Sequence, residues 1–126
     1  MAIVTRPLAD EHAEYFQNYL DLVEGDDLVA ILSNHLADAL SFYGSLSEMQ
    51  SMRRYEAQKW SMKEVIAHVT DTERIFMYRA LRFSRKDASN LEGFDENLYA
   101  PNANADARSW RHHLREFETV RSSSIL

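Results

Sequence analysis

The chain has 126 residues, 45% of them apolar, with three Gly, two Pro, no Cys and a formal charge of −6. That length suits one domain with a core, the apolar content excludes compositional disorder, and so few turn formers speak against an all-β fold. Without Cys, disulfides and thiolate metal sites are excluded, and the acidic balance argues against a duplex nucleic-acid binder.

Met1-Ala2-Ile3-Val4-Thr5-Arg6-Pro7 lacks an apolar signal region, and no stretch approaches about 18 consecutive apolar residues. The expectation is a cytoplasmic protein with no membrane segment. A first helix is predicted from about Leu8 to Val23, where Tyr15, Tyr19 and Leu22 recur at intervals of four and three. Gly25-Asp26-Asp27 ends it and caps the next helix. That second helix runs from Leu28 to about Tyr43, with Leu28, Ile31, Leu32, His35, Leu36, Ala39, Leu40 and Tyr43 on one stripe.

Met52 to Trp60 reads as an irregular connection. Ser61-Met62-Lys63-Glu64 then has the pattern of a capping box, with Trp60 and Val65 at the positions of a hydrophobic staple. The third helix is predicted from there to about Arg85. Arg79, Arg82, Arg85 and Lys86 gather in its last turns, where cations suit the negative end of the helix dipole. Asp87 to about Ala105 reads as a long connection without clear periodicity, of the kind that crosses a bundle end. A last helix is predicted from about Asp106, with Trp110, Leu114, Phe117 and Arg121 on one seam and His113 and Val120 beside it. It closes on Ser122-Ser123-Ser124-Ile125-Leu126 without a capping Gly or basic turn, as a helix cut short would.

One group of residues can carry chemistry. Glu64, Asp71 and Thr72 lie one turn either side of His68 and share its helix face, with Val65, Val69 and Phe76 as an apolar stripe alongside. Such a histidine is either a satisfied residue at the core boundary or a metal ligand oriented by its neighbours. No second histidine stands at chelating spacing from it, and His112 and His113 point about 100° apart on a helix. The basic cluster with Arg74 either holds an anionic ligand or docks the following loop through Glu92, Asp95 and Glu96. Glu73 is expected to pair with a nearby Arg. No nucleophile elbow, phosphate-cradling loop or dinucleotide fingerprint is present.

Lys59-Trp60-Ser61, Lys63-Glu64-Val65, His68, Asp71-Thr72-Glu73-Arg74, Phe76 and Tyr78-Arg79-Ala80-Leu81-Arg82 together resemble the central motif of the DinB/YfiT-like superfamily. Gly93-Phe94-Asp95-Glu96, Tyr99 and Arg108 continue the likeness, which extends from about Arg6 to Arg121. The resemblance implies an all-α four-helix bundle with a long crossover connection, as a single domain over residues 1–126. It also implies a three-histidine site for a divalent metal of the Zn, Ni or Fe class. One of those ligands maps onto His68, with Asp71, Glu64 and Thr72 as its supporting shell. The other two belong to a His-x3-His pair on a fourth bundle helix that has no counterpart here, so one third of the site is expected, with absence of the metal from this chain as the alternative.

Members of the family include thiol-dependent transferases, using bacillithiol, mycothiol or glutathione, and hydrolase-like enzymes. A low-molecular-weight thiol is therefore an implied partner. The competing expectation is a non-catalytic bundle that has lost the metal. Departures from the family pattern are Glu56-Ala57-Gln58, where a Pro-Gly turn is frequent, and His35, where an amide is frequent. A bundle short of one helix leaves an apolar groove, so self-association is expected.

Overall fold

The computed structural model describes residues 5–126, so Met1–Val4, part of the stretch read as lacking a signal, lie outside it. The described chain is all-helical. α1 is Gln17–Leu20, preceded by a 3-10 turn at Glu14–Phe16. α2 is Leu28–Gly44, α3 Glu48–Ser51, α4 Met62–Ser84, α5 Glu96–Asn102 and α6 Trp110–Ile125, with a second 3-10 turn at Ala105–Ala107.

α2 and α4 form where the periodicity puts them. The Asp27 side chain accepts from the Ala30 amide (3.1 Å) to start α2, and Ser61 accepts from the Glu64 amide (3.1 Å) to start α4. The Glu64 carboxylate answers by accepting from the Ser61 amide (2.7 Å), which completes the capping box.

Three expectations need correction. The first helix shrinks to α1 and its 3-10 turn, because Tyr15, Phe16, Tyr19 and Leu22 find no partner layer and stay exposed. A short helix such as this is held by packing rather than by propensity. The connection before α4 contains α3, whose Ser47 and Gln50 form a second capping box. The long connection after α4 is not irregular throughout: α5 starts on Asp95, which accepts from the Asn97 amide (2.9 Å), and Asn104 turns the chain in the left-handed region (φ 49°). The last helix accordingly starts at Ser109, whose hydroxyl accepts from the His112 amide (3.2 Å).

α6 lies between α2 and α4, which scarcely touch each other. Ala39 of α2, Ile66 of α4, and Trp110 and Phe117 of α6 form the buried core. Leu36, Leu40, Tyr43, Met62, Val69 and Leu114 pack around it. The Trp110 indole N–H donates to the Tyr43 carbonyl (2.9 Å), which pins the start of α6 to the end of α2. The expected α6 seam of Trp110, Leu114, Phe117 and Arg121 is the one observed.

Candidate functional site

α4 presents two unlike faces. The inner face carries Lys63, Ile66, Ala67 and Thr70, all buried. The Lys63 ammonium donates to the Arg108 carbonyl (2.6 Å) and to Glu48, whose other carboxylate oxygen accepts from the Trp110 amide (2.7 Å). One cation thus ties α3, α4 and the start of α6 together. The Lys63 hydrogen bond, with help from the Trp110 amide, holds the Glu48 carboxyl below the ordinary glutamate range. Beside it, Arg54 bridges Glu64 and Asp106 and donates to the Lys59 carbonyl (2.7 Å). Asp106 also accepts from the Ser61 hydroxyl.

His113 is sealed into the same end of the molecule. Its Nε2 donates to the Ala105 carbonyl (2.8 Å), which fixes the tautomer, and its Nδ1 is buried without a partner. Burial pushes the imidazole pKa down, outweighing the Ala105 hydrogen bond that favours the charged form. Burial would raise the Glu116 carboxyl, but Arg74 and Arg108 hold it below the ordinary range.

Further along, Arg121 donates to both oxygens of Glu73 (2.8 Å each) and to His35 Nδ1 (3.1 Å). Glu73 therefore has the arginine partner expected of it. The His35 proton sits on Nε2, because a guanidinium can only donate.

The outer face carries His68. Its ring lies tilted against Trp60, with centroids 5.1 Å apart, and neither ring nitrogen has a hydrogen-bond partner among the described residues. The apolar stripe beside it is not core: Val65 and Phe76 stand 41% and 55% exposed, and only Val69 reaches the buried cluster. The anticipated shell around His68 is largely engaged elsewhere. Glu64 serves the helix cap and Arg54, Asp71 lies 3.6 Å from Arg74, and the Thr72 hydroxyl is buried without a partner.

Among the described residues, no three His, Asp or Glu side chains gather closely enough to hold a metal ion. Tested against its donor set, this neighbourhood offers a metal one imidazole, where structural and catalytic sites use three or four protein ligands. The ligand set is not complete within α4 and its neighbours.

The basic cluster docks the loop, though not through the acidic residues expected. Arg82 binds Asp87 (2.8 Å) and the Ser89 and Asn90 carbonyls, and Arg79 binds the Glu92 carbonyl (3.0 Å). The Asp87 carboxyl is held far below its ordinary value by Arg82 and Ser89. Beside this loop, a cleft of about 400 Å³ opens between α4 and α5, lined by Asp71, Leu98, Tyr99, Asn102 and Ala103. No helix among the described residues is long and apolar enough to cross a membrane.

The Lys63–Glu48 pair and the neighbouring Arg54–Glu64–Asp106 cluster escaped the sequence reading. Lys63 had one usable signal, since it falls on the helical period of Ile66, Ala67 and Thr70. For Arg54 there was none, because its partners Glu64 and Asp106 stand 10 and 52 residues away.

The family model of the DinB superfamily matches residues 31–125, a span that takes in α2, α4, α6 and everything between them. No curated protein and no solved structure matches the chain.

Proposed function

The chain belongs to the DinB superfamily, and from that premise we propose that His68 is one ligand of a divalent metal of the Zn, Ni or Fe class in a metal-dependent enzyme. The observation that carries this reading is the placement of His68 in the matched segment, on the side of α4 that α6 leaves open. Both ring nitrogens there are without hydrogen-bond partners among the described residues, and an imidazole must offer a lone pair to ligate. Trp60 orients the ring.

In this reading α2, α4 and α6 are three of a bundle's four helices. The gap between α2 and α4 is the place of a fourth, and the remaining ligands come from whatever packs there. A metal held there would supply Lewis acidity, which would lower the pKa of a bound thiol or water. The reaction class is thiol-dependent transfer or hydrolysis, with a low-molecular-weight thiol as partner, which suits a cytoplasmic protein. The cleft beside Asp71, about 400 Å³ and walled by Leu98 and Tyr99, has room for such a molecule.

A second reading is a non-catalytic helical protein that keeps the bundle without the metal. Arg54 and Arg74 favour it, because they occupy the carboxylates of Glu64 and Asp71 that would otherwise support His68.

Elemental analysis after loading with Zn, Ni or Fe(II) and desalting separates the two. The first reading expects more metal on the wild type than on His68→Ala. Equal and negligible metal in both proteins overturns it and leaves the second.

A further inference from the structure

We propose that the cleft between α4 and α5 selects a substrate carrying a protonated amine on a small apolar body, with Asp71 as the residue that sets this preference. The proposal rests on the reading of this cleft as the substrate site and adds the charge class that enters it.

Asp71 comes to the cleft from α4, and Leu98, Tyr99, Asn102 and Ala103 come from α5 and its C-terminal end. Among these lining residues only Asp71 carries a charge. Its carboxylate accepts no hydrogen bond from the described residues. Arg74 stands 3.6 Å from it, beyond hydrogen-bond range, and donates instead to Glu116 (3.0 Å). The Arg74 side chain lines grooves toward α6 rather than this cleft. An ionised carboxylate has about four acceptor positions, so Asp71 keeps its capacity for a donor that arrives through the cleft.

Its neighbours add acceptor and apolar character. Asn102 commits an amide N–H to the Leu98 carbonyl (2.8 Å), and its Oδ1 has no partner among the described residues. The Tyr99 ring, packed 5.5 Å from that of Phe94, offers a π face, and Leu98 and Ala103 supply apolar contact. An anion entering here meets a carboxylate and no guanidinium. A neutral apolar molecule strips water from Asp71 and returns no donor. An ammonium answers both groups at once, by charge-assisted hydrogen bonds to the carboxylate and by lying against the aromatic ring.

The position on the helix gives the preference a use. Asp71 stands one turn beyond His68 on α4, and residues so spaced are about 5–6 Å apart at their Cβ atoms. A molecule a few bonds long, anchored by its amine on Asp71, therefore reaches toward His68.

The test compares 2-phenylethylamine with phenylacetate, two probes of one body and opposite charge. Both are titrated into metal-free, isotope-labelled chain and followed by amide resonances. The amine is expected to shift Asp71, Tyr99, Asn102 and Ala103 and to bind at least about tenfold more tightly than the acid. Asp71→Asn is expected to bring the two within about twofold. That variant is nearly isosteric at a partly exposed side chain, so it is expected to keep the wild-type circular dichroism. Phenylacetate binding as tightly as the amine to the wild type overturns the proposal and needs no variant. Shifts confined to other parts of the chain, a preference that survives Asp71→Asn, or no amine binding up to about 20 mM each overturn it as well. Because no metal is present, this outcome and the metal retention tested by His68→Ala are read separately, and either can fail while the other stands.

Discussion

The two faces of α4 differ in how completely their groups are matched. On the inner face, Lys63 is 2% exposed and still satisfied, by a carboxylate and a carbonyl from two other elements. On the outer face, Phe76 is 55% exposed and His68 has no hydrogen-bond partner among the described residues. The difference teaches which residues hold the chain and which are free to bind. A buried ammonium left unpaired would cost several kcal/mol, so the inner pattern persists only if the fold is built around it. The outer face carries no such constraint, which makes it the side where a ligand or another helix can be added without disturbing the core.

Substitutions can break this contrast. The largest effect is expected for Phe117→Ala, which empties the most enclosed position in the core. It should cost about 3–5 kcal/mol, read as a lower urea midpoint at unchanged slope. An equally large loss from Phe76→Ala would erase the distinction between the faces. Lys63→Met comes next, at about 2–3 kcal/mol. It removes charged hydrogen bonds from the Arg108 carbonyl, while Glu48 keeps the Trp110 amide and some solvent contact. A neutral result in chemical denaturation would show that the ion pair is dispensable to packing.

The smallest effect concerns pH. The pKa of His113 in the folded protein lies below that of the unfolded chain. Folding stability is therefore fully present above about pH 6.5 and falls as the pH drops through that value, by up to about 1.4 kcal/mol per unit. The lowered carboxyls of Glu48 and Glu116 act in the same direction but only below about pH 4.5. Between those limits His113→Gln is expected to flatten the pH dependence of the urea midpoint. A parallel curve for that variant would assign the acid sensitivity to another group.

Much of this was legible beforehand because it depends on neighbours in sequence. Ser61 and Glu64 are three residues apart, so their capping box could be read directly and stands as read. The buried His113 beside an exposed His112 followed from a helical period alone. The same reasoning misjudged the first helix, since periodicity says which face could be buried and not whether anything arrives to bury it. It also passed over α3, although Ser47 and Gln50 display the same cap spacing as Ser61 and Glu64.

The sequence by itself determined the all-α class, α2 and α4 nearly to the residue, the α6 seam and the family likeness, because helix periods, caps and motifs are local. Only the tertiary structure decided which stripe of α4 is core. Val65 and Phe76 are more hydrophobic than Lys63 and Thr70, yet α6 packs on the side of Lys63 and Thr70. There Glu48 and the Arg108 carbonyl neutralise the buried cation, and no reading of α4 alone contains those partners. The surroundings of His68 were settled in the same way. Spacing put Glu64 and Asp71 within reach of it; Arg54, brought up by the fold, took the first carboxylate away, while the second lies beside Arg74 of the same helix.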